Sequence, residues 1–428
     1  MSLRLKANGS EDQSGEKIHP TSPQNVLDQE TRQIVAQIAQ AVLSVRTLVN
    51  ALETQVRIAP MSEGKLNSVA DEANLSIDHI GIKGLLNNIA ARLDTRKFEF
   101  CPSLAPNLTS FEQVVSTQLA ISPKYWSTWQ MSIEALSDVN KIVDEVIKYS
   151  FESYFKKVDV VSFDGILLRA YAGGKKDAKV VVVVPVCGMP VQLSERWLRY
   201  LAQDYYVITW ESRGLFGEIA DFDALTYDVE SQAKDLFAVM DHFNVGCGHV
   251  MGLCGGAVIA LIASSLAPER VSTLSLWHGD YELGLNCPKT RHQQDLLMLM
   301  SMAGKNRKQA TSLQKLFAQP SVLNTMRNDV AHLILYPYAS GELLFRYAKL
   351  NGSIMTANIK DRLEKVVQPT LVVTSEDDMT AHPEGSLRIA DKLSNATLHV
   401  ESHGNHLSLF DASPSITKLA KEFIEHKQ

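Results

Sequence analysis

Short apolar runs alternate with stretches of helical periodicity through the second half of the chain. Two of the runs are residues 180–186 (VVVVVPV) and 206–210 (YVITW), and further runs follow at 274–277, 370–376 and 397–402. Runs that are apolar at nearly every position are typical of strands with both faces buried, and such strands joined by helices form mostly parallel sheets. The pattern predicts an α/β fold, with a mostly parallel sheet and helices on both of its faces.

The rest of the chain divides into two further segments. Residues 1–25 are polar and have almost nothing to bury, so they are predicted to be a disordered leader. Residues 26–150 are predicted to be an N-terminal helical region, in which apolar residues spaced by three and four indicate a long helix over 26–58, ended by Pro60. The α/β domain is predicted over 151–428, and it opens with a hairpin that turns at Asp164-Gly165.

One insertion interrupts the alternation of strands and helices. Residues 281–358 have helical periodicity, contain several methionines and lack strand signals, which predicts a helical lid. Residues 281–350 carry nine basic and four acidic side chains, a net charge of +5, whereas the whole chain has a net charge of −6. Lys305, Arg307 and Lys308 are candidates for a docking surface on this insertion, although a solvated helix face would show the same pattern.

Composition and cysteine usage exclude several classes of partner. A net charge of −6 argues against nucleic acid as the main partner, and the absence of a long apolar run argues against a membrane. The five cysteines include no CxxC pair, so neither a structural metal site nor a disulfide framework is expected. A cytoplasmic location is therefore the default expectation.

The strongest chemical motif is GLCGG at residues 252–256, which fits the pattern G-x-C-x-G between a strand and a helix. A sharp turn of this kind strains the backbone of its central residue and brings neighbouring backbone close, so small residues are needed two positions to either side. The helix that follows would favour a thiolate at its N-terminus. Cys254 is therefore the candidate nucleophile.

Candidate partners for Cys254 follow later strands, where a parallel sheet gathers its site. Asp377 and His406 give the chain order nucleophile, acid, histidine. Asp377 is favoured as the acid because it precedes a typical acid-loop pattern, while Asp378 and Asp280 stay open as alternatives. His406 is favoured because it follows Gly404 by two residues; His403 and His382 are the alternative histidines.

Over residues 155–428 these motifs resemble the α/β-hydrolase superfamily. The resemblance implies that the loop PVCGMP, residues 185–190, contributes to the oxyanion hole, with the N–H groups of Met189 and Gly255 as the two donors. Cys187 then occupies the usual histidine position and is expected to be structural. The turn WESRG at residues 210–214 is similar to an architectural turn of the same superfamily.

The sharp turn that carries Cys254 is the nucleophile elbow of this superfamily. A cysteine in the elbow and a helical N-terminal extension resemble the aminoacyl shuttle transferases of nonribosomal peptide assembly, of the syringomycin and coronamic acid type. The resemblance implies transfer of an aminoacyl group between acyl or peptidyl carrier proteins, presented on a phosphopantetheine arm and with no bound cofactor. The polyhydroxyalkanoate synthases are a second group with cysteine in the elbow, but the GNH loop lacks their G-H-x-G pattern.

The sulfur itself also favours transfer. A serine that accepts an acyl group from a thioester forms a less activated oxyester, whereas a cysteine keeps the group as a thioester that can pass to another thiol. The alternatives are a thioesterase or esterase that uses the same triad, and a non-catalytic scaffold that binds a partner through its N-terminal helices.

Overall fold

A computed structural model describes residues 27–59, 61–62, 65–66, 80–101, 107–121, 133–217 and 222–426 of the 428-residue chain. The predicted disordered leader, residues 1–25, lies outside the described residues. The strands within the described ranges are β1 (Val56–Ile58), β2 (Met61–Ser62), β3 (Lys65–Leu66), β4 (Phe98–Phe100), β5 (Lys156–Val161), β6 (Leu167–Gly174), β7 (Val180–Val184), β8 (Tyr206–Trp210), β9 (Gly248–Leu253), β10 (Val271–Trp277), β11 (Thr370–Ser375) and β12 (Ala396–Glu401).

The α-helices within those ranges lie in the N-terminal region, between the later strands, and in the segment between β10 and β11. They are α1 (Gln29–Ala51), α2 (Ile80–Arg92), α3 (Ser110–Leu119), α4 (Ile133–Lys148), α5 (Phe151–Tyr154), α6 (Glu195–Leu201), α7 (Val229–His242), α8 (Gly255–Leu266), α9 (Arg291–Ala303), α10 (Arg307–Phe317), α11 (Ala331–Ile334), α12 (Gly341–Met355), α13 (Pro383–Lys392) and α14 (Pro414–His426). Short 3-10 turns are interspersed, of which Val191–Ser194 and His406–Asp411 border the cavities described below.

Eight strands form one sheet in the order β12-β11-β10-β9-β7-β8-β6-β5. The strands from β7 to β12 pair in parallel, and β6 is antiparallel to both of its neighbours, β5 and β8. All six residues of β9 and of β11 are buried, which requires cover on both faces because successive side chains point to opposite sides. The predicted α/β class with a mostly parallel sheet is confirmed. The predicted hairpin turns at Gly165, which has a φ of 85°.

The N-terminal region packs partly on the lid. The N–H of Ser110, at the start of α3, donates to the carbonyl of Ala318 at 3.0 Å, and the Gln118 amide donates to the carbonyl of Asn328 at 2.5 Å. Among the described helices, α1 is the one long and apolar enough to cross a membrane, by length and composition alone. Its apolar stripe is buried within the protein, at Val35, Ile38, Ala39, Val42, Val45, Leu48 and Val49.

The prediction that the first helix continues to residue 58 is wrong. Helix α1 ends at Ala51, and Leu52 already has an extended backbone. Val56–Ile58 instead forms the strand β1, which pairs in parallel with β4. Apolar residues at the right spacing continue the helical pattern past Ala51, but the pairing with a strand some forty residues later decides the conformation.

The lid segment between β10 and β11 is built from helices. Its described residues form α9, α10, α11 and α12, together with 3-10 turns, and no strand occurs among residues 278–369, all of which the structure describes. Helix α12 packs against α9, α10 and α8, so the insertion rests on the helix that follows the cysteine turn.

The buried histidine of β9 makes stability depend on pH. His249 lies with its ring nitrogens 2.7 Å from the hydroxyl of Thr273 and 2.9 Å from that of Ser275, and burial lowers its pKa from 6.5 to about 3. The unfolded chain therefore binds a proton that the folded chain does not. The free energy of unfolding should consequently fall as the pH decreases from about 6.5 toward 3.

We expect His249→Asn to reduce this acid sensitivity. Because one proton is no longer taken up on unfolding, the slope of the unfolding free energy against pH should be smaller by about 1.4 kcal/mol per pH unit below about pH 6. Urea unfolding at a series of pH values measures both slopes. Identical slopes in the wild type and the variant would contradict the assignment.

Candidate active site

Cys254 lies at a strained turn between β9 and α8. Its φ is 52° and its ψ is −123°, a backbone conformation that is costly for a residue with a side chain. The Cys254 N–H donates to the carbonyl of Trp277 at 2.9 Å, and its carbonyl accepts from the N–H of Ala257 at 2.9 Å. These bonds hold the thiol at the carboxyl end of the central strands.

The glycines of the motif are required by close backbone contacts. A Cβ on Gly252 would lie 2.5 Å from the Cα of Ala257, and a Cβ on Gly256 would lie 2.5 Å from the carbonyl oxygen of Val184. Neither contact can be relieved by rotating a side chain, because both partners are backbone atoms. The spacing predicted from the motif is thus explained by the turn itself.

We expect Gly252→Ala to destabilise the protein by about 1–3 kcal/mol, because the added methyl group overlaps the backbone of α8. Gly84→Ala is the matched control: Gly84 is exposed on α2 and a Cβ there would meet nothing within 4 Å. That control should raise stability by up to about 1 kcal/mol. Denaturant unfolding of the two variants checks the contrast, and equal stabilities would refute it.

His406 is held by a buried carboxylate. It begins the 3-10 turn that follows β12, and its Nδ1 lies 2.8 Å from Oδ2 of Asp378. Both side chains are buried. A carboxylate hydrogen-bonded to Nδ1 fixes the orientation and tautomer of the ring and leaves Nε2 for proton transfer.

The prediction of Asp377 as the partner of His406 is wrong. The Asp377 side chain is 61% exposed and lies 3.5 Å from His403. Asp377 and Asp378, the two candidate acids at this turn, therefore point in opposite directions. The carboxylate of Asp280 instead lies 3.2 Å from the amine of Lys289 and does not contact His406. Asp378, the other residue of the pair, occupies the acid position.

Local turn geometry explains the choice between the two neighbouring aspartates. Oδ1 of Asp378 accepts the N–H groups of Thr380 and Ala381 at 2.8 and 2.9 Å, which turns this carboxylate inward. Burial raises the pKa of Asp378, but hydrogen bonds from His278 and His406 lower it by more, so the net pKa lies well below its ordinary value. The carboxylate therefore stays ionised between the two imidazoles.

His278 is the site residue that the sequence did not single out. Its Nδ1 lies 2.8 Å from the same Oδ2 of Asp378, and its backbone has a φ of 49°. Its N–H donates to the carbonyl of Val373, which fixes the loop after β10 to β11. The available signal was its place directly after a strand end, in the phrase WHGD beside the candidate Asp280.

The free nitrogen of His406 faces the cysteine. Nε2 is buried and has no hydrogen-bond partner among the described residues. Burial lowers the pKa of His406, but the adjacent thiol of Cys254 and the hydrogen bond to Asp378 raise it by more, so the pKa lies well above its usual value. The arrangement can draw a proton from the thiol and retain it as an imidazolium.

A cavity of about 550 Å³ opens above the cysteine. Cys254, His406, Met189 and Gly255 all line it, and its other walls are mostly apolar. The remaining lining residues are Val186, Cys187, Leu193, Asp280, His292, Gln293, Asp295, Leu296, Leu299, Phe317, Met326, Ile334, Tyr338, Tyr347, Asn351, Ile354, Met355, Met379, Thr380, Ala381, Leu407 and Phe410. The lid thus supplies much of the cavity wall.

The two expected oxyanion donors differ in availability. Gly255 is the first residue of α8, and an N–H at that position has no acceptor within its own helix. The N–H of Met189 donates to the carbonyl of Val186 at 3.2 Å and would have to exchange that turn bond for a substrate oxygen. The neighbouring Gly188 N–H is held by the hydroxyl of Ser212 at 2.9 Å.

Cys187 and the turn at residues 210–214 lie where structural roles are expected. Burial raises the pKa of Cys187 to about 12, which makes its thiol a poor nucleophile. The buried guanidinium of Arg213 is paired with Asp235 at 2.7 Å and Asp164 at 2.8 Å, so this turn ties α7 to the β5–β6 hairpin.

The three candidate docking residues lie together at the start of α10, but they are not equivalent. Arg307 is paired with Glu342 at 2.7 Å and Asp223 at 3.0 Å, and its guanidinium lies 4.6 Å from the ring centre of Phe345. Lys305 and Lys308 are exposed. Arg307 therefore fixes the lid to the rest of the protein, and the two lysines remain as candidates for docking.

One cluster of metal-ligand type occurs in the described part of the chain, and it is the His278–Asp378–His406 group itself. Its ligand atoms lie within 4.8 Å of one another. Both imidazoles already contact the carboxylate at 2.8 Å through Nδ1, so hydrogen bonding accounts for the cluster without an ion.

The cysteine at the strand–turn–helix elbow and the buried histidine–carboxylate pair on this sheet define an enzyme of the α/β-hydrolase superfamily. The family model described as "alpha/beta hydrolase fold" matches residues 191–413, just over half of the chain, and the chain belongs to that family.

The curated relatives that it resembles are hydrolases by name. RutD of Pseudomonas syringae pv. syringae (strain B728a), named as a carbamate hydrolase, is 26% identical over 219 residues, which cover 49% of this chain and 80% of the relative. RutD of Variovorax paradoxus (strain S110) is 27% identical over 214 residues, which cover 48% of this chain and 76% of the relative.

Solved structures show the same fold. The esterase from Exiguobacterium antarcticum aligns with a TM-score of 0.51 at 18% identity, covering 63% of this chain and 99% of the esterase. The enol-lactonase from Burkholderia xenovorans LB400 aligns with a TM-score of 0.51 at 16% identity, covering 62% of this chain and 99% of the lactonase. Both alignments include nearly all of the other protein and leave more than a third of this chain unmatched.

Proposed function

We propose that this protein is a cysteine-dependent acyltransferase that moves an aminoacyl group between phosphopantetheinyl carrier proteins through a thioester on Cys254. The observation that carries the proposal is a cysteine at the strained elbow position, beside a histidine held by a buried carboxylate. Its proposed catalytic residues are Cys254, His406 and Asp378.

The proposed reaction has two half-reactions that mirror each other. His406 takes the proton of the Cys254 thiol, and the sulfur attacks the carbonyl carbon of the incoming thioester. The tetrahedral oxyanion accepts hydrogen bonds from Gly255 and, after its turn opens, from Met189. The C–S bond to the donor breaks, the donor thiolate recovers the proton from His406, and the acyl group stays on Cys254. An acceptor thiol then repeats the sequence in reverse.

Sulfur is the reason to propose transfer. Exchange of one thioester for another forms and breaks bonds of the same kind, so the acyl group keeps its activation on Cys254. Asp378 does not need to carry the proton, because its hydrogen bonds to two imidazoles stabilise the carboxylate as an anion.

The cavity supports an acyl group with a polar end. Most of its lining is apolar, which suits the side chain of an acyl group, and the carboxylates of Asp280 and Asp295 lie on the same lining. Asp280 already pairs with Lys289 at 3.2 Å and Asp295 with Arg291 at 2.9 Å, so an amino group next to the thioester carbonyl would join existing ion pairs. This lining supports an aminoacyl substrate over a purely hydrocarbon one.

Hydrolysis is the second candidate, and similarity favours it. The relatives that match the chain are named as hydrolases, and the aligned solved structures include an esterase and an enol-lactonase. Water would then discharge the acyl group from Cys254 in place of a thiol. The two candidates share their first half-reaction and differ only in the acceptor.

Product analysis separates the candidates. The enzyme is incubated with a butyryl or an alanyl thioester of N-acetylcysteamine and with the thiol form of 4′-phosphopantetheine, and acylated thiol and free acid are measured over time. The transferase predicts acyl-phosphopantetheine as the main product. Free acid formed at the same rate with and without the thiol would establish hydrolysis.

The exposed lysines of the lid are proposed to dock an acidic carrier protein. We expect Lys305→Glu together with Lys308→Glu to slow loading from an acyl carrier protein about tenfold at low salt, with less effect at high salt. The matched control is Lys176→Glu with Lys179→Glu, an exposed pair of the same spacing ahead of β7. Loading from a short thioester should change in neither variant; an equal loss with both substrates would refute the docking surface.

A further inference from the structure

A second cavity lies between the N-terminal helices and the α/β domain. It has a volume of about 510 Å³ and is open to solvent. One wall comes from α1, including Leu43, Ser44 and Thr47, and from residues 149–152 at the start of α5. The opposite wall comes from the turn after β7, the start of α6 and the lid.

The second cavity adjoins the cysteine cavity. Leu193 and Phe410 line both of them, so the two spaces are separated by a wall of these side chains. Phe410 belongs to the 3-10 turn that begins with His406, and Leu193 belongs to the turn after the Met189 loop. Both side chains are buried, so a chain that passes between them into the cysteine cavity has to displace them.

Two buried polar atoms on the lining of the second cavity have no hydrogen-bond partner among the described residues. Within the described ranges, Nδ1 of His332, a residue only 6% exposed, makes no hydrogen bond, and neither does Oε1 of Gln192. Both residues line the second cavity. Burial lowers the pKa of His332 to about 4, so the ring is neutral at physiological pH. Unpartnered buried polar groups are costly, and a polar ligand in the cavity would satisfy them.

The charges around the cavity are balanced. Four arginines and four carboxylates line it, namely Arg46, Arg196, Arg199, Arg327, Glu152, Glu195, Asp329 and Asp411. Arg327 pairs with Asp411 at 2.8 Å, which ties the lid to the turn that carries His406. Arg196 is the most exposed of the four at 61%, and it forms an ion pair with Asp411 at 3.0 Å. A balanced interior suits an uncharged chain, and the guanidinium at the rim suits an anionic end.

We propose that this second cavity is the entry channel for the 4′-phosphopantetheine arm that presents the acyl group, an inference that rests on the proposed transferase or thioesterase chemistry at Cys254. The arm is an uncharged chain of amide, hydroxyl and methyl groups, with a phosphate at one end and sulfur at the other. The amides pair with His332 and Gln192, the phosphate lies at Arg196, and the sulfur end passes Leu193 and Phe410.

The channel gives the N-terminal region a role. The family match begins at residue 191, so α1 and residues 149–152 lie outside it, and these are the segments that complete the cavity. The α/β domain alone would leave the same surface open to water. The additional helices thereby convert a surface groove beside the site into a bounded channel.

Binding to the full chain tests the channel separately from the chemistry. Calorimetric titration of 4′-phosphopantetheine into the Cys254→Ala protein is compared with the same titration after adding Ser44→Trp, which places a large ring in the cavity from an exposed position of α1. Gln37→Trp is the matched control, since Gln37 is exposed on α1 but does not line the cavity. We expect Ser44→Trp to weaken binding at least tenfold and Gln37→Trp to leave it unchanged.

A second variant keeps the test independent of how Ser44→Trp folds. Arg196→Gln should weaken binding of 4′-phosphopantetheine several-fold and leave binding of pantetheine, which lacks the phosphate, unchanged. Coenzyme A and a phosphopantetheinylated carrier protein, titrated in parallel, show which source of the arm is preferred. Unaltered binding in both Ser44→Trp and Arg196→Gln, or no binding to the parent, would overturn the channel. Binding as expected without acylation of wild-type Cys254 would instead overturn the proposed function.

Discussion

Replacing Cys254 by serine is expected to reduce transfer to a thiol acceptor by at least about 10³-fold. The turn at residue 254 accommodates serine without new contacts, because the two side chains have the same shape and the strained backbone is unchanged. Any acyl group that the serine accepts becomes an oxyester. Water hydrolyses such an ester, but an acceptor thiol takes the acyl group from it only slowly. The ratio of free acid to acylated thiol should therefore rise even as the overall rate falls.

The measurement is a time course of both products for the wild type, Cys254→Ser and Cys254→Ala. The alanine variant has no nucleophile and should form neither product above the background rate. Cys187→Ser is the matched control for a buried thiol beside the same cavity, and it should retain activity, since burial raises the pKa of the Cys187 thiol and makes it a poor nucleophile. Transfer at an undiminished rate in Cys254→Ser would show that sulfur is not what the reaction requires.

The neighbouring aspartates should respond very differently to the same substitution. Asp378→Asn is expected to lower the rate of acylation by about 10³–10⁴-fold, because an amide at this position no longer stabilises the imidazolium of His406 and selects the wrong tautomer. Asp377→Asn should leave the rate within about twofold of the wild type, because its side chain faces solvent and His403. The contrast between adjacent residues is the sharpest test of which carboxylate serves the site.

Single-turnover acylation followed by mass spectrometry measures both rates without interference from the acceptor step. Circular dichroism and thermal unfolding of the same proteins establish that Asp378→Asn remains folded, since this side chain also anchors its own turn through Thr380 and Ala381. If Asp377→Asn were the damaging substitution, the placement of Asp378 between His278 and His406 would not describe the working enzyme.

Local sequence signals predicted the parts of the fold that local contacts decide. The pair Asp164-Gly165 between alternating apolar residues predicted the β5–β6 hairpin, and a glycine with positive φ lies at its turn. The motif around Cys254 predicted a strand–turn–helix because Gly252 and Gly256 are needed wherever backbone atoms approach this closely. The turn at Gly165 and the contact of Gly252 with Ala257 lie within a few positions along the chain, whereas the contact of Gly256 is with Val184 on a neighbouring strand.

The features that sequence reasoning missed depend on contacts between residues that are far apart in the chain. Residues Val56–Ile58 continue an apolar helical pattern, yet they pair with β4. Asp377 and Asp378 are chemically identical neighbours, and only the three-dimensional turn shows which of them faces His406. His278 lies a hundred residues before the carboxylate that it contacts, so no spacing rule connects the two.

The charge pattern of the lid was informative only in part. The basic segment within an acidic chain predicted a docking surface that contains Lys305, Arg307 and Lys308. The structure separates Arg307 from the lysines, because its carboxylate partners come from α12 and from a loop before α7. Ion pairing inside the protein and binding of an acidic partner require the same side chains, so composition alone does not distinguish them.

The most direct test of the central claim is the intact mass of the wild-type protein after brief exposure to an acyl thioester. The account predicts an increase by one acyl group, located on Cys254 by peptide mapping, that persists in buffer and disappears on addition of 4′-phosphopantetheine as acyl-phosphopantetheine forms. An adduct that never forms, that maps to a residue other than Cys254, or that decays to free acid equally fast with and without the thiol would contradict it.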